Sequence, residues 1–442
     1  MAKARDAEAL TFRSFQPETL RGGAGFFRVG RTSGGQWWLL DPHDRPFFTK
    51  GVAAVNRHGR AGPRAARRGA GSVAADRFQE QEDSAGFARD AVRRLRHWRV
   101  NTLGPWAEPA LDEAGLYATA LAGFRHAGGP VIHAHGVSLP DVFDPGWAGL
   151  CDLHAEKIVT PWEGRTELIG LFTDDALGWG APRPGRPSLL QVCLSLEPGL
   201  AAYHAAWEFV LAPHAGSLAA LGRSWSLDLP NREVIRQRTL EERPLATGGY
   251  LRDHGRFARE AAHRYFKATA AALRRHDPNR LVLGCRFAEP PEADVLAECV
   301  YPQVDVLSCR CHGPDFPKQA GAWARAAGMP LLLTSFGLSN ERFRAAPPAP
   351  RSGPTRLERM LRDGRRALTA ACEHPAVVGY EWARWADEPD ETPPFGAGLV
   401  HTDDREAVEH TELFAQINAR AERLRLRAAE RVPGRASKKT HR

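Results

Sequence analysis

Short, almost wholly apolar runs recur along this chain, each followed by a longer stretch with helical periodicity, and this alternation restricts the fold more than any other feature. The runs lie at 46–55, 100–104, 116–121, 168–175, 280–284, 304–308, 330–334 and 377–382. A run apolar at consecutive positions has no solvent face, as expected of a strand buried on both sides in a parallel sheet. Between the runs, Phe87, Ala91, Leu95 and Trp98 are spaced i, i+4, i+8, i+11 along one helix face. The segments 151–159, 201–211, 256–275, 356–373 and 406–425 also read as helices, and 133–147, rich in Pro and Asp, reads as a loop. Strand–helix repetition without an internal domain linker predicts an α/β fold, a single (β/α)8 TIM barrel. A short β segment at 36–40 precedes the barrel, and a long insertion follows its fourth strand. The expected organisation is an N-terminal tail at 1–24, the barrel at 25–427 and a basic disordered tail at 428–442.

The chain has 442 residues, a length within the range of one barrel with insertions. No apolar run approaches the roughly 18 residues that cross a membrane, and no secretory leader is evident, so a cytoplasmic location is expected. Seven cysteines, an odd number lying mostly in apolar segments, fit reduced thiols better than a disulfide framework. The formal charge of +8 is concentrated in two places. Arg431, Arg435, Lys438, Lys439 and Arg442 lie in the tail, and Arg57, Arg60, Arg64, Arg67 and Arg68 lie in the low-complexity segment 56–75, expected to be a disordered loop. Those ten cations exceed the whole surplus, so the folded body is near neutral. Nucleic acid is therefore not the expected partner, and the oligomeric state stays open.

Chemistry in such a barrel sits at the C-terminal ends of its strands. The fourth run ends L-I-G-L-F-T-D-D-A-L-G-W-G (168–180), where Asp174 and Asp175 stop the apolar stretch. They offer either a displaced acid and base or, the reading favoured here, a structural Asp174 bonded to backbone or arginine. Glu381 is the other carboxylate at a strand end. Trp106, Trp179 and Trp382 stand at strand ends as candidate ligand-stacking residues, a position in which large aromatics more often serve as core or loop anchors. Arg286 and His312 are candidate polar contacts, and Asn101 a hydrogen-bonding residue below the pocket. Cys309-Arg310-Cys311-His312 lacks a second ligand pair at zinc spacing, and His133-x-His135 has no companion carboxylate motif. No cofactor is expected.

Eight blocks in order resemble retaining TIM-barrel glycoside hydrolases, most of all the β-agarase-like group. They are WWLLDPHDRPFF (37–48), WRVNTLGPW (98–106), LPDVFDPGW (139–147), 168–180 as quoted, DPNRLVLGCRFA (277–288), VDVLSCR (304–310), PLLLTSFG (330–337) and VGYEWARWAD (378–387). In that family the fourth strand ends in Asp-Asn-Glu, whose Glu is the acid/base, and the seventh carries the nucleophilic Glu before an aromatic-Gly pair. The matching positions hold Asp174-Asp175-Ala176 and Ser335-Phe336-Gly337. Retaining hydrolysis needs two carboxyls about 5–5.5 Å apart; alanine supplies none, and serine without a base is a weak nucleophile. The resemblance thus implies a carbohydrate-active barrel that has lost its catalytic pair at Ala176 and Ser335 and binds an oligo- or polysaccharide. It further implies that Trp382 faces the pocket, which turns Glu381 into the barrel wall toward Arg384 or Arg286. Two alternatives stay open: an active O-glycosyl hydrolase using Asp174, Asp175 and Glu381, and a metal-dependent hydrolase using His133, His135 and His312.

Overall fold

The computed structural model describes residues 10–57, 84–112, 114–288, 293–310, 316–338, 355–387 and 396–431. Most of the Arg-rich segment 56–75 and the tail from 432 lie outside the described residues. Eight parallel strands form one sheet: β4 (Thr49–Val52), β5 (Thr102–Leu103), β6 (Tyr117–Leu121), β9 (Leu168–Asp175), β11 (Leu281–Arg286), β12 (Leu307–Arg310), β13 (Leu331–Phe336) and β14 (Val377–Trp382). Their order is β11-β9-β6-β5-β4-β14-β13-β12. Phe287 joins the two ends, donating its N–H to Ser308 O at 3.1 Å and accepting from Arg310 N at 2.8 Å. The sheet is thus curled into the expected barrel, and each predicted apolar run overlaps one of its strands, with β11, β12 and β13 continuing two residues past theirs.

Ile169, Phe172, Leu281, Leu283, Val306, Leu332 and Val378 fill the barrel interior. Phe27, Val29 and Leu39 belong to the same cluster, although they come from a separate antiparallel sheet of β1 (Arg28–Arg31), β2 (Trp37–Leu40) and β3 (Pro46–Phe47). That sheet closes the N-terminal end of the barrel. Its plug is aromatic: Phe27, Phe47 and Tyr117 meet edge to face with centroids 4.7–5.2 Å apart, the arrangement favoured by the ring quadrupole. Full burial of such a ring, as for Phe27, is worth about 1.5–3 kcal/mol. Residues 10–24, expected as a tail, dock on this sheet through bridges from Phe15 to Thr32 and from Arg21 to Val29. Asn101 ties β4 to β5, accepting from Lys50 N at 2.8 Å and donating to Phe48 O at 2.9 Å.

The helices surround the barrel with two departures from the periodicity. The stretch 406–425 is two helices, Val408–Asn418 and Ala421–Arg431, so helix continues past residue 427. The break lets Asn418 turn inward, donating to Trp98 O at 2.9 Å and accepting from the Tyr380 hydroxyl at 2.6 Å. The expected loop 133–147 instead begins as a hairpin of β7 (Val131–Ala134) and β8 (Val137–Pro140). His135 and Gly136 adopt φ 49° and 83° at its turn, both in the left-handed region that two-residue hairpin turns require. The insertion after β9 holds the helices Leu189–Leu194, Ala201–Leu211, Leu218–Trp225 and Glu233–Leu240, before the long helix Gly248–His276. Among the described residues no helix is long and apolar enough to cross a membrane.

Candidate functional site

The C-terminal ends of β9, β11, β13 and β14 converge on one guanidinium. Arg286, the last residue of β11, is wholly buried. It donates from Nη1 to Asp175 Oδ1 at 3.2 Å and from Nη2 to Ser335 Oγ at 3.2 Å. Nη2 also lies 3.6 Å from Glu381 Oε2. Asp175 Oδ2 takes a second cation, Arg310 Nη2, at 2.5 Å, and Glu381 Oε1 accepts from the Thr119 hydroxyl of β6. The Arg286 guanidinium carbon sits 5.0 Å from the Trp106 ring and 5.3 Å from Phe172, within reach of cation–π attraction. Two arginines and two carboxylates therefore form a network that spans the barrel mouth. Burial pushes the Glu381 carboxyl upward, while Arg286 and the Thr119 hydroxyl act against that shift.

The local fold explains why Glu381, and not Trp382, faces this centre. The pairing of β13 with β14 slips between Leu331–Val377 and Leu332–Gly379. The slip turns Tyr380 and Trp382 outward to the helices. Trp382 is 0% exposed, donates its indole N–H to Ala397 O at 2.7 Å and packs on Phe336, His410 and Phe414. The expected sugar-stacking role of Trp382 is thus corrected: its ring is spent on the shell between barrel and helix. Glu381 points inward because Gly51 lies opposite, where a Cβ would come within 2.9 Å of Glu381 Cγ. Arg286, one of the two expected partners of Glu381, lies against it.

Asp174 faces away from this network. It accepts from Arg125 N at 3.1 Å and from the Tyr265 hydroxyl of the long outer helix at 2.6 Å. Burial raises its carboxyl to about 7 in spite of those two donors. Its geometry is that of the structural reading. Ala176 follows at φ 51° and Ser335 sits at φ 55°, both in the left-handed region disfavoured for residues with a Cβ. Ala176 donates its backbone N–H to Arg286 O at 3.1 Å.

His133 and His135 make separate contacts. His133 Nδ1 lies 3.3 Å from Ser138 Oγ on the hairpin, and His135 Nδ1 lies 3.7 Å from Glu242 Oε1. His312 lies outside the described residues, and among the described residues no group of three or more His, Cys, Asp or Glu is placed to hold a metal ion.

Beside the network a cleft of about 160 Å³ opens against the hairpin, lined by Ala176, Trp179, His135, Arg183, Arg186 and Ala288 among others. The Gly178–Trp179 pair forms strand β10, which joins the hairpin as Gly178↔Ser138 and Trp179↔Val137. Trp179 stacks on Phe266 at 5.5 Å and 12°, which leaves it part of the cleft wall. Sequence reasoning missed Thr119, Arg310, Arg183 and Arg186. The local sequence R-P-G-R at 183–186 is a signal that could have found the paired arginines. Nothing in the sequence pointed to Thr119, because its partner lies 262 residues away.

An eight-stranded parallel barrel of this kind, with its polar network at the C-terminal strand ends, has the fold of agarase-like glycoside hydrolases. Beta-agarase A from Vibrio sp. (strain JT0107) is 24% identical over an alignment of 324 residues that covers 67% of this chain and 32% of that protein. Beta-agarase B from the same strain is 22% identical over 314 residues, with the same coverage. The chain thus spans about one third of the length of the curated relatives it matches. A solved exo-beta-agarase superposes with TM-score 0.72 at 18% identity, covering 92% of this chain and 67% of that one. The agarase AgWH50C superposes with TM-score 0.71 at 16% identity, covering 92% of this chain and 66% of that one. No protein-family model matches the chain.

Proposed function

We propose that this chain is a carbohydrate-binding barrel of the agarase-like type that has lost glycosidase chemistry. The observation that carries the reading is the position of Arg286. Its guanidinium bonds to Ser335, where the resemblance puts the nucleophile, and to Asp175, next to the position of the missing acid/base. The remaining carboxylates, Asp175 and Glu381, both lie against the same cation. A retaining pair must instead work across a bound sugar, one group attacking and the other exchanging a proton. Carboxylates held by a buried guanidinium are poor at either task, because their charge is already spent. The similarity to agarases supports a galactose-containing polymer as ligand. Free, buried cysteines at 151, 193, 285, 299 and 372 support the expectation of a reducing, cytoplasmic setting.

The relocated-carboxylate alternative draws on the meeting of Asp175 and Glu381 at one guanidinium, and requires a ligand to displace Arg286 from both. The binding reading is tested by calorimetric titration of the full chain with neutral agaro-oligosaccharides and, as a control, cello-oligosaccharides. Saturable binding of the galactose-based series is expected. Absence of heat with any saccharide overturns it.

A further inference from the structure

The cleft beside the barrel mouth carries a charge pattern that a neutral polymer does not require. Arg183 and Arg186 are the ends of the turn Arg183-Pro184-Gly185-Arg186, in which Arg186 N donates to Arg183 O at 3.2 Å and Gly185 takes φ 74°. Proline at the second place and a left-handed glycine at the third are the requirements of a type II turn. Proline's fixed φ and glycine's tolerance of positive φ make that turn the low-energy state of these residues. The two arginines also face each other as an isolated antiparallel bridge, so they emerge side by side. Both are exposed, and both line the cleft that reaches Ala176. His135, held at the hairpin turn with Nδ1 3.7 Å from Glu242 Oε1, is the third basic side chain on that wall, and no Asp or Glu is among the described residues lining it.

The hairpin and the turn are built against each other. Gly136 lies where a Cβ would stand 3.4 Å from Arg186 Nη1, and Gly178 passes within a Cβ's reach of Gly136 O. Gly180, at φ 59°, hands the chain from β10 toward the turn and accepts from Leu189 N at 2.9 Å. The cations thus sit on a backbone set by hydrogen bonds and glycine contacts. Arginine's planar fork matches carboxylate and sulfate oxygens two at a time.

We propose that this cleft is an anion subsite, and that the saccharide bound at the barrel mouth carries a negatively charged substituent, a uronate carboxylate or a sulfate ester, held by Arg183 and Arg186. The assignment rests on the carbohydrate-binding reading above. It also gives the site an affinity source that survives loss of the catalytic pair, since charge-assisted contacts at the cleft do not involve Ala176 or Ser335.

The test is calorimetric titration of the full chain at low salt with four probes: an oligogalacturonate, a sulfated galacto-oligosaccharide, a neutral agaro-oligosaccharide of equal length, and inorganic sulfate. At least tenfold tighter binding of one or both charged oligosaccharides than of the neutral one is expected, and the tighter of the two identifies the substituent. The preference should shrink as salt is raised, because exposed charges are screened over about 8–10 Å at 0.1–0.15 M. Arg183→Gln/Arg186→Gln should remove the preference while leaving the unfolding midpoint unchanged. Equal affinity for charged and neutral oligosaccharides overturns the subsite and leaves the carbohydrate reading standing. A preference that persists in the double variant overturns the assignment to this cleft. Binding of inorganic sulfate without any saccharide overturns both.

Discussion

Two arginines, Arg286 and Arg425, are wholly buried at opposite ends of the barrel, and their partners differ in kind. Arg286 at the mouth is met by side chains: Asp175, Ser335 and Glu381, from three other strands. Arg425 at the base is met by backbone. It donates to the carbonyls of Cys372, His374, Pro375 and Trp37, and lies over the Trp38 and Phe48 rings. Burial pulls Arg425 down to about 9. A cation capped by carbonyls joins the last helix to the start of β14 and to β2, and belongs to the fold. A cation ringed by ionisable groups from several strands belongs to a site whose charges can be rearranged together. The chemistry of this protein is therefore to be sought at the end where the arginine has titratable company.

The comparison is broken most forcefully by removing Arg286. Arg286→Met leaves Asp175 and Glu381 without their shared cation, and a loss of about 3–5 kcal/mol in urea unfolding is expected. Adding Glu381→Gln should return much of that loss, since it withdraws one of the orphaned charges; Asp175 keeps Arg310. If the double variant is no better than the single, the network is not a charge-balanced unit. Arg425→Met comes next. It orphans several carbonyls but no charge, and should cost about 1–3 kcal/mol per poorly rehydrated group. No second-site charge removal should rescue it.

Asp174 sharpens the contrast from within one strand, because it adjoins Asp175 yet faces the outer helix. Asp174→Ala should cost about 1–3 kcal/mol by leaving the Tyr265 hydroxyl and Arg125 N–H unmatched. Asp174→Asn keeps an acceptor and removes the titration. The folded carboxyl sits near 7 against the ordinary 3.8, so the folded state holds a proton that the unfolded chain has released between those values. Stability from this group accordingly falls as pH rises from about 4 to 7. The Asn variant should gain on the wild type between pH 5 and pH 8 in denaturation midpoint. An unchanged difference would place Asp174 among the ordinary ionised carboxylates.

The barrel was legible because buried parallel strands advertise themselves as unbroken apolar runs, and 377–382 agrees with β14 residue for residue. The site was legible only as a set of positions. Alternation along β14 correctly put Glu381 and Trp382 on opposite faces, but the register slip near Gly379, invisible in hydropathy, decides which face is which. The hairpin at 131–140 was hidden because Pro and Asp mark loops and strand ends alike. Arg310 read as part of a cysteine–histidine cluster, whereas its role depends on Asp175, 135 residues earlier in the chain. Local pattern thus exposes elements, and long-range charge pairing stays out of its reach.

The central claim is that the mouth binds sugar without cleaving it. It is tested most directly by following new reducing ends from agaro-oligosaccharides, and nitrophenol from aryl β-galactosides, with the unmodified chain and with Ala176→Glu/Ser335→Glu. The account predicts no turnover above buffer by the unmodified protein, because the two carboxyls of a retaining site act as one unit. Robust turnover that disappears in Asp175→Asn or Glu381→Gln would contradict it and establish relocated carboxylates as the catalytic pair.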